Sequence, residues 1–245
     1  MTLRDLFEMD GRVAVVTGSG QGIGRAIALG LADFGCDVVL NSRRVRDLEV
    51  TATEIEKRGR SVLIVQGDIR DFSETLAWRT MERFGRLDIW VNNVGGSDEK
   101  TTRPLVETSD EVFRSQIDLN LTSAFQGCKA AASRMGDAGS IINISSGAGT
   151  RGSPFTGPYA AAKAGMNNLT QTLALELAPA IRVNAVAPGP VYTRLNVGYE
   201  FELESYPLPR VGTVEDMAQA VGFLASPASA YITGEVLKVA GGVGM

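Results

Sequence analysis

Short apolar runs alternate along this chain with stretches in which apolar residues recur every three or four positions. The first run, Val13 to Val16, is apolar throughout, which is typical of a strand buried on both faces of a parallel sheet. Further runs of this kind lie at 37–40, 61–65, 87–91, 140–144, 181–186 and 235–239. The spacing between them predicts helices at 23–34, 47–57, 73–84, 110–135, 159–177 and 214–225. This alternation predicts an α/β fold, a Rossmann-like doubly wound parallel sheet with helices on both faces.

The chain has 245 residues, and no linker, repeat or low-complexity segment interrupts the alternation. We therefore expect a single domain over residues 1–245. Ligands of such sheets bind in a crevice at the carboxyl ends of the strands. Two polar loops, at 97–103 and 193–210, follow strand ends and are candidates for the substrate side of that crevice.

Four glycines lie between the first predicted strand and the first predicted helix, in Thr17-Gly-Ser-Gly-Gln-Gly-Ile-Gly24. A turn without side chains at a helix N-terminus presents backbone N–H groups and the positive end of the helix dipole to an anion. The stretch therefore predicts a dinucleotide-binding turn, and a plain strand-to-helix turn is the alternative. The common pattern G-x-G-x-x-G is not met, because Ile23 stands where its last glycine would fall.

The residues about twenty positions further on indicate which nucleotide is preferred. Chains that select NAD usually place an acid there, whereas this chain has Ser42, Arg43 and Arg44. A guanidinium favours a 2′-phosphate, so NADP(H) is the expected cofactor and NAD(H) the alternative. Both arginines could instead be solvated charges at a strand end. Asp68 follows a later strand and could accept a hydrogen bond from the adenine amino group, or be an ordinary loop acid.

Charge and hydropathy restrict the partners. The formal net charge is −4, so the chain offers no basic field to a nucleic acid. No apolar run approaches the roughly 18 residues that span a bilayer, and residues 1–12 are rich in charge, so we expect a cytoplasmic protein without membrane contact. The two cysteines, Cys36 and Cys128, lack the spacing of a metal site and are interpreted as buried apolar residues, so no metal is expected.

The chain contains no histidine, which excludes His-based zinc sites and histidine-dependent serine or cysteine triads. A general acid or base must then be Tyr, Lys, Asp or Glu. Tyr159 and Lys163 stand four apart in a predicted helix and share a face, although a plain surface pair is the alternative. A nearby ammonium should lower the pKa of the Tyr159 phenol. Tyr159 could then protonate a reduced carbonyl oxygen, or take the proton of an alcohol during oxidation.

The strand that precedes this helix ends in Ser145 and Ser146, and one of these hydroxyls could donate to the substrate oxygen. With these residues the chain resembles the short-chain dehydrogenase/reductase family, NADP-preferring type, over almost its whole length. The motifs that carry the resemblance are Thr17-Gly-x-x-x-Gly-x-Gly24, Asn92-Asn-Val-Gly95, Asn120, Ser146, Tyr159-x-x-x-Lys163 and Pro188-Gly189. Two positions depart from it. Val94 replaces a usual alanine, which should be harmless, and Ala240 replaces a common aspartate, which puts a C-terminal polar contact in doubt.

The resemblance implies catalytic roles for four residues. Ser146, thirteen positions before Tyr159, would be the catalytic serine, with Ser145 as the fallback. Tyr159 would be the general acid/base, and Lys163 would also hold the nicotinamide ribose. Asn120 would hold a water that joins Lys163 to solvent as a proton relay. The alternative for Asn120 is a polar residue that bends a helix.

The resemblance also implies a cofactor site, with 92–95 beside the adenosine ribose and 188–193 against the nicotinamide. The residues expected to touch the cofactor are Gly18, Ser19, Gly22, Ile23, Gly24, Ser42, Arg43, Arg44, Asp68, Ile69, Asn92, Val94, Gly95, Tyr159, Lys163, Pro188, Gly189, Val191 and Thr193. A homotetramer is expected from the resemblance alone.

Three functions are consistent with these residues. The first is a carbonyl reductase or alcohol dehydrogenase that acts on a small or medium organic substrate, including sugars, polyols or steroids. The second is a 3-oxoacyl-carrier-protein reductase, but the acidic carrier protein needs basic docking residues, and none lies at 135–140 or 164–181. The third is a nucleotide-binding regulatory protein without turnover. The complete set of candidate catalytic residues argues against the third.

Overall fold

The computed structural model describes residues 2–3, 5–97, 101–193 and 200–244. Its strands are β1 (Val13–Thr17), β2 (Asp37–Ser42), β3 (Val62–Gln66), β4 (Ile89–Asn92), β5 (Gly139–Ile144), β6 (Ile181–Pro188) and β7 (Val236–Val239). Within the described residues they form one parallel sheet in the order β3-β2-β1-β4-β5-β6-β7. Parts of the two loops expected on the substrate side, residues 98–100 and 194–199, lie outside the described residues.

Seven helices lie in the described ranges. They are α1 (Gly22–Asp33), α2 (Val45–Glu56), α3 (Ile69–Phe84), α4 (Asp110–Ile117), α5 (Ser123–Ala132), α6 (Gly157–Leu177) and α7 (Val214–Ala225). The predicted doubly wound α/β fold is confirmed. None of the helices among the described residues has both the length and the apolar character needed to cross a membrane.

The central strand shows why helices cover both faces of the sheet. Ala14 and Val16 of β1 pack into a core cluster with α1, α2 and α7. Val13 and Val15 point the other way and pack with α3, α5 and α6. Successive strand residues face opposite sides, so a strand that is apolar throughout requires a cover on each side.

The order of the strands reverses beside β1, which pairs with β2 on one side and with β4 on the other. Connections that leave in opposite directions from the carboxyl ends of β1 and β4 open a crevice between them. The register places Val15 of β1 between Val39 of β2 and Trp90 of β4. The predicted ligand crevice therefore has its structural basis at this reversal.

Two helices differ from their predicted bounds by more than two residues. The helix predicted at 110–135 is divided into α4 and α5 by a π-helical turn, Asp118–Thr122. The helix predicted from residue 73 begins earlier, because Asp68 accepts a hydrogen bond from the Arg70 amide and caps the N-terminus of α3. Both differences lie next to the crevice, where the π turn carries Asn120 and the cap carries Asp68.

Candidate active site

A cavity of about 870 Å³ lies at the carboxyl ends of the central strands. This volume is within the range of small-molecule and cofactor sites. The predicted site residues that line it are Gly18, Gly22, Ile23, Gly24, Ser42, Arg43, Arg44, Asp68, Ile69, Val94, Gly95, Ser146, Tyr159, Lys163, Pro188, Gly189, Val191 and Thr193. Ser19, Asn92 and Asn120 are not among the lining residues. The fold thus gathers most of the predicted site from distant parts of the chain.

The glycine-rich turn has the backbone that anion binding requires. Gly18 and Gly22 have φ angles of +66° and +56°, in the left-handed region that favours glycine. A Cβ on Gly24 would overlap the carbonyl of Gly18, so the turn closes only with glycine there. The N-cap of α1, Gln21, makes no side-chain cap hydrogen bond. Among the described residues, the first N–H groups of α1 have no side-chain acceptor, which fits a dinucleotide pyrophosphate.

Ser19 supports this turn from behind. Its hydroxyl accepts a hydrogen bond from the amide of Asn41 at 3.0 Å, and its own amide donates to the carbonyl of Asn41 at 3.1 Å. The side chain is fully buried. Ser19 was predicted to touch the cofactor, but this geometry places its side chain against β2.

Two lining residues, Asn41 and Asn93, hold loops of the cavity together, a role that sequence reasoning did not assign to them. The side-chain Nδ2 of Asn41 donates to the carbonyls of Val65 and Gly67 and so fixes the turn before Asp68. The side-chain Nδ2 of Asn93 donates to the carbonyl of Thr17 at 2.9 Å. Asn93 lies inside the quoted Asn-Asn motif, and Asn41 directly precedes Ser42, so their positions beside predicted residues were the available signal.

The two arginines at the end of β2 differ in their partners. Arg44 Nε lies 3.0 Å from Asp47 Oδ2 in an ion pair. Arg43 lines the same cavity but has no salt bridge in the part of the chain that the structure describes. Arg43 is therefore the guanidinium that can turn to a ligand without first breaking an ion pair.

Asp68 lines the same end of the cavity and is already engaged. Arg70 donates to both of its carboxylate oxygens, at 3.1 and 2.7 Å. These hydrogen bonds lower the pKa of Asp68, with further contributions from the charges of Arg70 and Arg43. A carboxylate has further lone pairs, so the predicted contact with an adenine amino group is compatible with this geometry.

Tyr159 and Lys163 lie one turn apart on α6, and both line the cavity. The Lys163 ammonium is 5.7 Å from the centre of the Tyr159 ring. Lys163 is only 2% exposed, and its Nζ donates to the carbonyl of Ile144 at 2.7 Å. Burial lowers the pKa of Lys163 from 10.5 to about 7.

The pKa of Tyr159 departs from the prediction. Burial of the phenol raises its pKa, and a hydrogen bond with Ser146 acts in the opposite direction but is the smaller effect. We predicted that the Lys163 ammonium would lower this pKa. Burial in the same apolar region disfavours both charged forms, so the phenol keeps its proton and the lysine tends to lose its own.

The two adjacent serines have separate hydrogen-bond partners. Ser146 lies near enough to Tyr159 to lower the pKa of the phenol, and its hydroxyl accepts from the amide of Ala148 at 3.1 Å. The Ser145 hydroxyl donates to Asn167 Oδ1 at 2.5 Å. Of the two, Ser146 is the one that influences the tyrosine, and its role as the catalytic serine stays a prediction from the family resemblance.

Asn120 lies in the π-helical turn and is completely buried. Its Oδ1 accepts from the Gly96 amide at 2.8 Å, and its Nδ2 donates to the Gly96 carbonyl at 3.1 Å. A Cβ on Gly95 would lie 2.7 Å from Asn120 Oδ1 and 2.9 Å from Lys163 Nζ. Asn120 therefore stands beside the lysine, while its predicted water-holding role stays a prediction.

Asn92 lies on the side of β4 that faces away from the cavity. Trp90 Nε1 donates to its Oδ1 at 2.7 Å, and its Nδ2 donates to Asn143 Oδ1 at 2.8 Å. The predicted contact of Asn92 with a ribose does not agree with this placement, because the side chain is 3% exposed and its amide is already satisfied within the core.

The predicted nicotinamide side follows β6. A Cβ on Gly189 would lie 2.7 Å from the Cα of Ala240, so the loop after β6 rests closely on the C-terminal segment. The Gly189 amide donates to the Val239 carbonyl at 3.0 Å. Backbone contacts with residues 239 and 240 therefore support this loop. The family commonly has an aspartate at the position of Ala240.

Comparison with known proteins agrees with this geometry. Residues 18–244 match the family model described as enoyl-(acyl carrier protein) reductase. A 3-oxoacyl-[acyl-carrier-protein] reductase of Synechocystis sp. is 40% identical over 243 residues, covering 96% of this chain and 97% of that protein.

Two solved structures superpose over nearly the whole chain. One is a short chain dehydrogenase of Burkholderia cenocepacia in complex with NADP, with a TM-score of 0.90 and 31% identity over 96% of this chain and 98% of that one. The other is a 7α-hydroxysteroid dehydrogenase complexed with NADH and a 7-oxo bile acid, with a TM-score of 0.91 and 32% identity over 99% and 98%. The protein described here belongs to the short-chain dehydrogenase/reductase family of oxidoreductases.

Proposed function

We propose that this protein transfers a hydride between NADP(H) and the carbonyl or secondary alcohol of a small or medium organic substrate, with Tyr159 as the general acid/base. The proposal rests on one observation, which is that two functional features line the same cavity. The uncapped N-terminus of α1 lies at one part of its wall, and Tyr159, Ser146 and Lys163 lie at another. This combination suits a nucleotide bound beside a proton donor.

The chain's own residues handle the proton and the orientation of the substrate. A bound nicotinamide supplies or accepts the hydride. The Tyr159 phenol, whose pKa is raised by burial, is protonated at neutral pH and is ready to donate to a carbonyl oxygen. The Ser146 hydroxyl, which lines the same cavity, can donate to the same oxygen as charge develops there. Reduction of a carbonyl uses the protonated phenol, and oxidation of an alcohol uses the phenolate.

The test is turnover of a panel of ketones with NADPH, followed by loss of nicotinamide absorbance. Tyr159→Phe should reduce kcat about 10²- to 10⁴-fold, the usual contribution of a general acid, without loss of nucleotide binding. Nucleotide binding with no turnover on a broad panel of ketones and alcohols would instead favour a regulatory protein.

The preference for NADP(H) rests on Arg43. Relatives bind either nucleotide, since one structure holds NADP and another NADH. Arg43→Ala should weaken NADPH about 10- to 100-fold, as for loss of a hydrogen bond to a charged group, and leave NADH nearly unchanged. Arg44→Ala is the matched control and should have a smaller effect, because Arg44 is held by Asp47. A wild-type preference for NADH would contradict the assignment.

A second candidate, reduction of a 3-oxoacyl group on a carrier protein, is favoured by the 40% identity to the Synechocystis reductase. Against it, the segment after β6 carries exposed Glu200, Glu202 and Glu204. Phe201 in this segment packs on Tyr192 of the cavity loop, with ring centroids 5.3 Å apart. Negative charge beside the cavity repels an acidic carrier. A much higher kcat/KM for an acetoacetyl carrier protein than for a short thioester would reverse this order.

Two further statements stay predictions. The single domain over 1–245 follows from length, and limited proteolysis would test it. Assembly as a homotetramer follows from the family resemblance, and sedimentation velocity would test it.

A further inference from the structure

Asn167 lies one helical turn after Lys163 on α6 and contacts the loop that follows β5. Its Oδ1 accepts a hydrogen bond from the Ser145 hydroxyl at 2.5 Å. Its Nδ2 donates to the carbonyl of Gly149 at 2.9 Å. Asn167 is not among the residues that line the cavity, so it does not face the site of reaction itself.

These two contacts fall on either side of Ser146. Ser145 precedes it directly, and Gly149 ends the short 3-10 turn, Gly147–Gly149, that Ser146 caps. One amide therefore holds both ends of the segment that carries the Ser146 hydroxyl.

The same segment packs directly on the helix that carries the tyrosine and lysine. A Cβ on Gly149 would lie 2.8 Å from the Cβ of Lys163, and the Ser145 hydroxyl also lies 3.4 Å from the Lys163 carbonyl. Ser146 belongs to the loop, whereas Tyr159 and Lys163 belong to α6. The distance between the Ser146 hydroxyl and the Tyr159 hydroxyl consequently depends on how the loop is attached to the helix.

We propose that Asn167 is a positioning residue that fastens the Ser146 loop to α6 and so sets the Ser146 hydroxyl against the Tyr159 hydroxyl. For its kinetic consequence, this inference rests on the function proposed above. Misplacement of a reacting group by about 1 Å can cost about 10²-fold in rate. Asn167 acts on the reaction only through Ser146.

The kinetic test replaces Asn167 by leucine, which has similar volume and neither hydrogen-bonding group. Asn167→Leu should lower kcat for ketone reduction about 10- to 100-fold while KM for NADPH changes less than about twofold. Asn168→Leu is the matched control, because Asn168 is the next residue on α6, is exposed, and has no side-chain hydrogen bond among the described residues. It should leave both constants unchanged. An equal effect of the two substitutions, or an effect of Asn167→Leu confined to KM, would overturn the proposal.

A spectroscopic test does not depend on turnover. The chain has 5 tyrosines, so labelling with [13Cζ]tyrosine gives few resonances, and Tyr159→Phe identifies that of Tyr159. Ser146→Ala should shift this resonance by removing the hydroxyl that lowers the pKa of Tyr159, and Asn167→Leu should shift it in the same direction. Asn168→Leu should not. A resonance that moves with Ser146→Ala but not with Asn167→Leu would refute the positioning role, whether or not the wild type turns over any ketone.

A second variant approaches the same contact from the loop. Ser145→Ala removes the hydroxyl that donates to Asn167 and should shift the Tyr159 resonance in the same way. The Ser145→Ala/Asn167→Leu double variant should lose less than the product of the two single losses in kcat. If the two losses in kcat multiply, the substitutions act independently, and this would contradict a common effect through the Ser145–Asn167 hydrogen bond. If Asn167→Leu does not fold, Ser145→Ala decides the question through the resonance alone.

Discussion

Replacing Lys163 by methionine should change how the stability of the protein depends on pH. The Lys163 side chain is 2% exposed, and the partners of its Nζ are the Ile144 carbonyl at 2.7 Å and the Met166 sulfur at 4.0 Å. Neither partner carries a charge. Burial without a carboxylate lowers the pKa of this lysine to about 7, compared with 10.5 for an exposed lysine.

The sign of the effect follows from the number of protons bound. Between pH 7 and 10.5 the unfolded chain keeps the proton on Lys163 and the folded protein has largely lost it. Stability therefore rises with pH across this window, by at most about 1.4 kcal/mol per pH unit. Integrated from pH 7 to pH 9, the contribution of Lys163 is a gain of about 2 kcal/mol. Below pH 7 the folded protein must hold the buried charge and is least stable.

Other buried groups oppose this trend at high pH. Burial raises the pKa of the Cys36 and Cys128 thiols from 9.0 to about 12. Folded cysteines keep their protons there while unfolded ones lose them, so their contribution to stability falls as the pH rises above 9. Tyr159, whose pKa is also raised, acts in the same direction. Wild type and Lys163→Met both carry these groups, so the difference between the two variants isolates the lysine.

The assay is denaturant unfolding of the ligand-free protein at several pH values from 6 to 9, for wild type and Lys163→Met. The difference in unfolding free energy should move by about 2 kcal/mol in favour of the wild type between pH 7 and 9. Lys238→Met, at an exposed lysine of β7, should give a profile parallel to the wild type. Parallel profiles for Lys163→Met would show that the lysine keeps its proton in the folded protein, and the electrostatic reasoning would then be wrong.

Three other substitutions test separate contacts. In Gly95→Ala the new Cβ would lie 2.9 Å from Lys163 Nζ, so kcat should fall about tenfold or more, and unchanged kinetics would show that the ammonium can move aside. Thr213→Ala removes the side chain of a capping box on α7 and should cost about 1 kcal/mol in urea unfolding, whereas an unchanged midpoint would show that water replaces the cap. Ser146→Ala removes the hydroxyl that lowers the pKa of Tyr159, so the alkaline decline of ketone reduction should move to higher pH while kcat falls. A decline that moves to lower pH would contradict that influence of Ser146.

The fold and the centre of the site follow from sequence patterns that depend on local geometry. Apolar runs and helical spacing located the strands and most helices, because each pattern reflects which faces are buried. Tyr159 and Lys163 were placed together by their spacing of one helical turn, which needs only that the helix forms. The family match then confirmed the class of reaction.

Predictions that depend on contacts between distant segments were less successful. Asn92 and Asn93 are the same type of residue, and only the alternation of side chains along β4 decides which one lines the cavity. Trp90 packs with the side of the sheet covered by α3 and α5, and Asn92 two positions later points the same way. Asn93 consequently lies at the crevice. The sequence carried this signal in the position of the tryptophan relative to the motif.

The π-helical turn at Asn120 is harder to predict from sequence. The helical spacing continues through it, and the amide of Asn120 bonds to Gly96, 24 positions earlier in the chain. A tertiary contact of this kind leaves no periodic trace. The turn divides one predicted helix into two and places Asn120 beside the lysine.

To predict the pKa values of Tyr159 and Lys163, it is not enough to know that the two side chains are close. The polarity of their surroundings must also be known. Their spacing shows that phenol and ammonium meet, and the attraction of the ammonium for a phenolate would by itself lower the pKa of Tyr159. Here burial raises the pKa of Tyr159 and lowers that of Lys163, so one cause produces both shifts and favours the neutral phenol beside the neutral amine. The proton therefore rests on Tyr159 near neutral pH, where it can be donated. Sequence spacing determines which groups can exchange a proton, whereas the packing of β5 and α6 around them determines where that proton is held.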